Sequence, residues 1–169
     1  MKNIFLVLLL AFSFIGCSSK SSVSRNIEAK LVIGKSLNGM KLSDQNEKSQ
    51  TLNADTKIVF FSFAKSTGHA CNDFLEKKPA NFLAKHRAVY VADISAAPSL
   101  IKKIFILPDL KKLKFPVLLI NNDALSAAYS KGVNKEKIVI VFLENKKIIK
   151  IENLDDTKAL EALFSSNNK

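Results

Sequence analysis

The chain has 169 residues and a formal charge of +11, from 26 basic and 15 acidic side chains. This length is typical of a single domain whose core folds without disulfides or metals. Two cysteines, Cys17 and Cys71, are too few for a disulfide-rich scaffold. The sequence contains no Gly-rich phosphate loop, His-x-x-x-His pair or Gly-x-Ser-x-Gly elbow, which argues against nucleotide and serine hydrolysis. The positive charge is compatible with nucleic acid, anionic lipid or an acidic partner.

The first segment has the composition of a targeting sequence. Lys2 precedes an apolar run over residues 4–15, and Gly16 and Cys17 follow it. The run is too short to span a bilayer, which takes roughly 20 apolar residues. This order resembles the lipobox of bacterial lipoproteins, with Phe14 in the place where leucine is usual. The resemblance implies cleavage before Cys17 and attachment of lipid to that residue.

Cleavage there would leave 153 of the 169 residues and would lower the charge only from +11 to +10. We expect the protein to face the periplasm of a bacterial envelope, held by membrane lipid through Cys17. Ser18 differs from the aspartate that retains some lipoproteins at the inner membrane, which favours the outer membrane. Nucleic acid is disfavoured as a partner at this location. The predicted organisation is a signal peptide (1–16), a lipidated flexible tether (17–30) and one domain (31–169).

The domain sequence predicts short strands followed by buried ones. Residues 40–52 predict a strand, a turn and a return strand, and residues 138–151 predict a second hairpin. Nearly continuous apolar runs are typical of strands covered on both faces. Such runs lie at 57–63, 88–94 and 115–120.

A helical connection is predicted after the first buried strand. Residues 64–70 are predicted as a loop, and Asn72 as the start of a helix. Pro79 interrupts this helix, which continues over 81–86.

Further helices are predicted later in the chain. Apolar residues at helical spacing predict a helix over 99–107 that Pro108 ends. Residues 121–123 are predicted as a polar turn, and Asp155 as the cap of the last helix. The alternation predicts an α/β fold, a three-layer sandwich with a mostly parallel central sheet, an N-terminal β extension and an antiparallel closing hairpin.

This order of elements resembles the thioredoxin-like superfamily, in its peroxiredoxin or TlpA-type branch, over about residues 33–164. The stretch from Gly34 to Leu52 is similar to the start of those domains, and 57–63 matches the strand that delivers their active-site loop. The later half is also similar to YtfJ-type periplasmic proteins, which are thioredoxin-like and lack Cys-x-x-Cys. The resemblance implies a thioredoxin-like domain.

The resemblance also implies where chemistry would occur. Thioredoxin-type oxidoreductases place Cys-x-x-Cys at a helix N-terminus, but the corresponding stretch 67–71 contains one cysteine, Cys71. Dithiol exchange needs a second, resolving thiol. Peroxiredoxins carry Thr-x-x-Cys there and an arginine that opens the closing hairpin. Thr67 and Lys137 lie near those positions, although Thr67 precedes Cys71 by four residues instead of three. The implied catalytic set is Cys71, with Thr67, His69 and Lys137 in support.

Two interpretations of Cys71 remain open. At a helix N-terminus, unpaired N–H groups would stabilise its thiolate, and His69 would assist. Alternatively, Cys71 is a small buried residue that packs the first helical turn, and His69 is an exposed loop residue. A metal site of Cys71, His69 and Asp93 would have one thiol and no ligand pair at regular spacing. We therefore predict no metal and no cofactor.

Lysines flank the apolar segment 104–110. Lys102 and Lys103 precede it, and Lys111, Lys112 and Lys114 follow. The segment is either a membrane-facing or partner-binding patch or an amphipathic helix docked on the sheet with solvated lysines.

Two functional hypotheses follow from the sequence. The first is an envelope lipoprotein whose degenerate thioredoxin-like domain is a binding or maintenance module, with an envelope protein as candidate partner. The second is a one-cysteine, peroxiredoxin-like thiol reductase that uses Cys71. The sequence makes no prediction of oligomeric state.

Overall fold

The computed structural model describes residues 27–166. Cys17, the signal peptide predicted over 1–16 and most of the predicted tether lie outside the described residues. Seven strands in this part of the chain form one sheet. They are β1 (Lys41–Asp44), β2 (Ser49–Thr51), β3 (Ile58–Ser62), β4 (Ala88–Asp93), β5 (Val117–Ile120), β6 (Ile138–Glu144) and β7 (Lys147–Leu154).

The strand order in the sheet is β2-β1-β5-β4-β3-β6-β7. The three central strands β5, β4 and β3 are parallel to one another, whereas the flanking pairs are antiparallel. The predicted α/β class, the N-terminal β extension and the closing hairpin are therefore confirmed. The parallel part is limited to three strands, so the sheet is mixed.

Helices cover both faces of this sheet. In chain order they are α1 (Lys65–Glu76), α2 (Phe82–Lys85), α3 (Ser99–Ile101), α4 (Leu107–Leu110), α5 (Asp123–Ser130) and α6 (Thr157–Ser166). A π-helical turn, Lys102–Ile106, joins α3 to α4 without a break. We call the continuous stretch from residue 99 to residue 110 the 99–110 segment.

The alternation of side chains along β3 creates two apolar cores. Ile58 and Phe60 belong to the core on one face, whereas Val59 and Phe61 belong to the core on the other. Successive residues of a strand point to opposite faces, so a fully apolar strand fills both sides of a sheet. The core that contains Phe60 also packs α1 and α6, and the opposite core packs α5 through Tyr129.

Helix α1 begins earlier than the sequence predicts. It starts at Lys65 and ends at Glu76, so Asn72 lies inside it and most of the predicted loop is helical. The Thr67 hydroxyl donates to the Ala64 carbonyl at 2.9 Å and accepts from the Ala64 N–H at 3.3 Å. These bonds fix the first turn, because the terminal N–H groups of a helix need partners other than its own carbonyls.

Other helix boundaries also differ from the predictions. Helix α5 follows the predicted polar turn, and the Asn122 side chain caps it by accepting from the Leu125 N–H at 2.9 Å. Asp156 rather than Asp155 accepts from the first turn of α6. Pro108 does not end the 99–110 segment, which continues past it to Leu110 directly after the π-helical turn.

The last residues of the predicted tether already contact the domain. The Lys30 N–H donates to the Ala128 carbonyl at 2.9 Å, and Lys131 Nζ donates to the Ile27 carbonyl at 2.7 Å. Across residues 27–166, no helix has the length and apolar character needed to cross a membrane.

Candidate functional site

Cys71 lies inside α1 and not at its N-terminus, so the predicted placement is wrong. It is the seventh residue of the helix and is 0% exposed. The unpaired N–H groups of a helix lie in its first turn. The thiol therefore lacks the N-terminal environment on which the predicted thiolate depended.

Beneath α1, the thiol contacts a buried polar pair on the sheet. The Tyr90 hydroxyl lies 2.8 Å from Ser62 Oγ and is also hydrogen-bonded to the Cys71 side chain. Tyr90 is itself 0% exposed and stacks on Phe60 with ring centroids 4.8 Å apart. Hydrogen bonding satisfies these polar groups inside an apolar core, as burial requires.

Burial dominates the ionisation of this thiol. It raises the pKa of Cys71 to about 12, and the hydrogen bond from Tyr90 offsets only part of that rise. Burial also raises the pKa of Tyr90 well above its usual value. A charged form in a low-dielectric interior is costly, so both groups stay neutral at physiological pH. A neutral thiol is a poor nucleophile.

The hydrogen bond described for the thiol involves neither of the two other candidates on α1. His69 is exposed and lies two residues before Cys71, and residues at that spacing do not share a helix face. Thr67 is buried, and its hydroxyl is used by the Ala64 backbone.

Lys137, the fourth candidate, lies just before β6. Its ammonium group pairs with the carboxylate of Asp155, which precedes α6. The interactions of Thr67, His69 and Lys137 thus involve neither the thiol nor one another in the described structure. The four residues do not form one catalytic group.

No metal site is visible in residues 27–166. No cluster of three or more histidine, cysteine or acidic side chains occurs in this range. Asp93, the third member of the weak metal pattern, accepts from Ser126 Oγ at 2.5 Å and from the Ser95 N–H at 2.9 Å. Its oxygens therefore help to fix the loop after β4.

A second candidate site is the surface of the 99–110 segment. Four large apolar side chains near its start are exposed. They are Leu100, Ile101, Ile104 and Phe105, with exposures of 66, 39, 53 and 59%. The segment 104–110 docks on the core through Ile106, Leu107 and Leu110, as the docked-helix interpretation predicts. Ile104 and Phe105 are exposed instead, which that interpretation did not predict.

The chain has a thioredoxin-like α/β fold. A parallel β3–β4–β5 centre, an N-terminal hairpin and a closing hairpin with a final helix define this class. No protein-family model matches the chain, and no curated protein matches it.

Solved structures are similar to the chain in fold. A bacterioferritin comigratory protein of Xanthomonas campestris, studied for alkyl peroxide reduction, has a TM-score of 0.52 and 13% identity, and the match covers 83% of this chain and 97% of that one. A putative protein disulfide isomerase from Bacteroides thetaiotaomicron has a TM-score of 0.51 and 18% identity, with coverages of 84% and 91%. The peroxidoxin BcpB of Mycobacterium tuberculosis has a TM-score of 0.51 and 16% identity, with coverages of 80% and 94%. At these identities, the likeness shows the fold alone.

Proposed function

We propose that this protein is a membrane-anchored envelope lipoprotein whose thioredoxin-like domain is a binding or maintenance module without thiol chemistry. Lipid on Cys17 would hold the domain at the membrane, in the periplasm. The function would then depend on the domain surface and not on Cys71.

The observation that carries this proposal is the environment of Cys71. Its sulfur is buried inside a helix, and its pKa is raised to about 12. Neither the stretch 67–71, which the sequence resemblance matched to Cys-x-x-Cys, nor the first turn of α1 contains a second cysteine. Disulfide exchange needs an accessible thiolate and a resolving partner, and both are missing here.

The alternative is a one-cysteine peroxiredoxin-like thiol reductase. It is favoured by the place of Cys71 on the helix that follows the central strand β3, and by fold similarity to peroxide-related proteins. In that reaction the Cys71 thiolate would attack a hydroperoxide, giving a sulfenic acid and releasing an alcohol. One external thiol would condense with the sulfenic acid to form a mixed disulfide and water, and a second would release the Cys71 thiol and leave as an external disulfide. Helix α1 would have to open first, because the sulfur is buried.

Thiol labelling separates the two functions. In the chain with Cys17→Ser, Cys71 is the only thiol. We expect native labelling at neutral pH to be at least about a hundredfold slower than labelling in denaturant, because burial blocks access and suppresses the thiolate. Peroxide consumption with an external thiol should match that of Cys71→Ala and Cys71→Ser controls. Rapid native labelling together with peroxide consumption that both substitutions abolish would establish the reductase instead.

The anchor has its own test. Full-length protein expressed in a bacterium should incorporate labelled palmitate and fractionate with membranes, whereas Cys17→Ser should incorporate none. Cys71→Ser is the matched control and should keep the label. Palmitate incorporation that persists in Cys17→Ser would reject lipidation at this residue.

A further inference from the structure

The exposed apolar side chains of the 99–110 segment lie on one side of the helix. Leu100 and Ile104 are four residues apart, as are Ile101 and Phe105. Side chains three or four positions apart are neighbours on a helix surface. We call these four side chains the apolar face. A contiguous exposed patch of large apolar groups is typical of a contact site.

The surroundings of the apolar face are basic. Residues 99–115 contain five lysines and one acidic residue, Asp109. Lys112 pairs with Asp109 at 2.7 Å, and Lys102 Nζ donates to the carbonyls of Ser95 and Asn121. The remaining lysines are exposed. They are Lys103, Lys111 and Lys114, of which Lys114 donates from Nζ to the Lys78 carbonyl at 3.4 Å.

We propose that the apolar face and its lysines dock the domain on the surface of an anionic lipid bilayer. A helix with large apolar side chains on one side and lysines beside them lies in the membrane interface, with the apolar side in the acyl boundary. Anionic headgroups attract the lysines. This inference goes beyond the proposed function, and it does not require lipid on Cys17.

Charge argues against a second copy of the chain as the occupant. A two-fold interface brings the same patch of both copies together. Such an interface would place Lys103 and Lys111 of one copy near the same lysines of the other, and like charges across an interface disfavour association. An anionic surface has the complementary charge.

The length of the N-terminal stretch is also consistent with docking. Ten residue steps separate Cys17 from Ile27, the first described residue, and these steps reach at most about 35 Å. This reach is close to the diameter of a domain of about 150 residues, roughly 40 Å. A lipid on Cys17 would therefore keep the domain within about one domain diameter of the bilayer.

Vesicle binding tests the proposal without the anchor. The chain over residues 17–169 with Cys17→Ser is sedimented with vesicles of phosphatidylcholine alone or with phosphatidylglycerol added. We expect binding to the anionic vesicles that weakens as salt is raised. Ile104→Ser should weaken it about fivefold, and the double variant Ile104→Ser/Phe105→Ser tenfold or more.

Matched control variants distinguish binding through the apolar face from non-specific binding through other exposed side chains. Ile149, in β7, is 52% exposed, nearly the same as Ile104, so Ile149→Ser should bind like the parent chain. Lys103→Gln/Lys111→Gln should weaken binding about tenfold or more, whereas Lys135→Gln/Lys158→Gln should have a smaller effect. Circular dichroism and thermal unfolding check that each variant is folded.

The possible results either support or overturn the proposal. Equal loss in Ile104→Ser and Ile149→Ser would overturn it, as would an absence of binding to anionic vesicles. A concentration-dependent dimer that Ile104→Ser/Phe105→Ser abolishes would assign the face to a second copy and also overturn it. Because Cys17 is replaced in every sample, these results are independent of the lipidation and thiol tests.

Discussion

The two helical connections between the parallel strands differ in what they bury. The connection from β3 to β4 buries Cys71 against Tyr90, whereas the connection from β4 to β5 leaves Leu100, Ile104 and Phe105 exposed. The cysteine is thus buried in the core, whereas these large apolar side chains of the 99–110 segment are exposed at the surface. The thiol on α1 is therefore inaccessible to solvent, whereas these apolar side chains of the 99–110 segment are available for contact.

The largest predicted difference between the buried and the exposed side chains is in their effect on the free energy of unfolding. Phe60 is 0% exposed and contacts both Tyr90 and Phe164, so Phe60→Ala should lower the free energy of unfolding by about 3–5 kcal/mol. Phe105→Ala should change it by only about 0.5 kcal/mol, because that ring is exposed. Denaturant unfolding of both variants measures the difference. Equal losses would show that the 99–110 segment is packed in solution.

A smaller effect is expected when pH is raised. The Cys71 thiol has a folded pKa of about 12 against an ordinary value of 9.0, so the unfolded state loses this proton first. The contribution of Cys71 to the free energy of unfolding is therefore constant below about pH 9 and falls between about pH 9 and pH 12. At pH 10 the loss from this thiol is on the order of 1 kcal/mol.

The Cys71→Ala variant isolates this contribution. Burial also raises the pKa of Tyr129 to about 12, and that of Tyr90, so both tyrosines contribute in the same direction at higher pH. Denaturant unfolding at pH 8 and pH 10 should therefore show a shallower fall in Cys71→Ala than in the parent chain. An identical fall in the two proteins would mean that the thiol is solvated.

The smallest effect concerns Lys137, which the sequence placed in the catalytic set. Its pair with Asp155 is partly exposed, so Lys137→Ala should change the free energy of unfolding by less than about 1 kcal/mol. Asp155→Ala should do the same, and neither should change the labelling rate of Cys71. Faster labelling in Lys137→Ala alone would connect this lysine to the thiol.

Much of the sheet was predictable because its strands are locally unambiguous. The run over 57–63 is apolar and β-branched, and residues 138–151 combine two apolar runs with a polar turn. Burial on both faces demands this composition, so the pattern and the tertiary structure agree.

The site was less predictable because helix ends depend on single hydrogen bonds. Residues 66–69 are polar or glycine and were predicted as a loop, but the two bonds between Thr67 and Ala64 start α1 there. This shift moves Cys71 away from the helix end and into the core. Asn122 was likewise assigned to a turn, although it caps α5.

The spacing of apolar residues also did not predict which side of the 99–110 segment faces the solvent. The spacing of Leu100, Ile101, Ile104 and Phe105 shows that they share a side of a helix, but not which way that side faces. Leu110, at the other end of the same segment, is buried.

Ten residues of regular helix would already turn Leu110 by roughly 280° from Leu100, and the π-helical turn Lys102–Ile106 changes that angle further. A π turn accommodates one more residue than an α turn, and one residue corresponds to roughly 100° around a regular helix. The turn thus offsets the angular phase of α3 from that of α4. Excising a single residue from it would return the whole stretch to α-helical phase and rotate Leu100 relative to Leu110. The orientation of the exposed apolar side chains relative to the buried Leu110 therefore depends on the number of residues in the segment as well as on its composition.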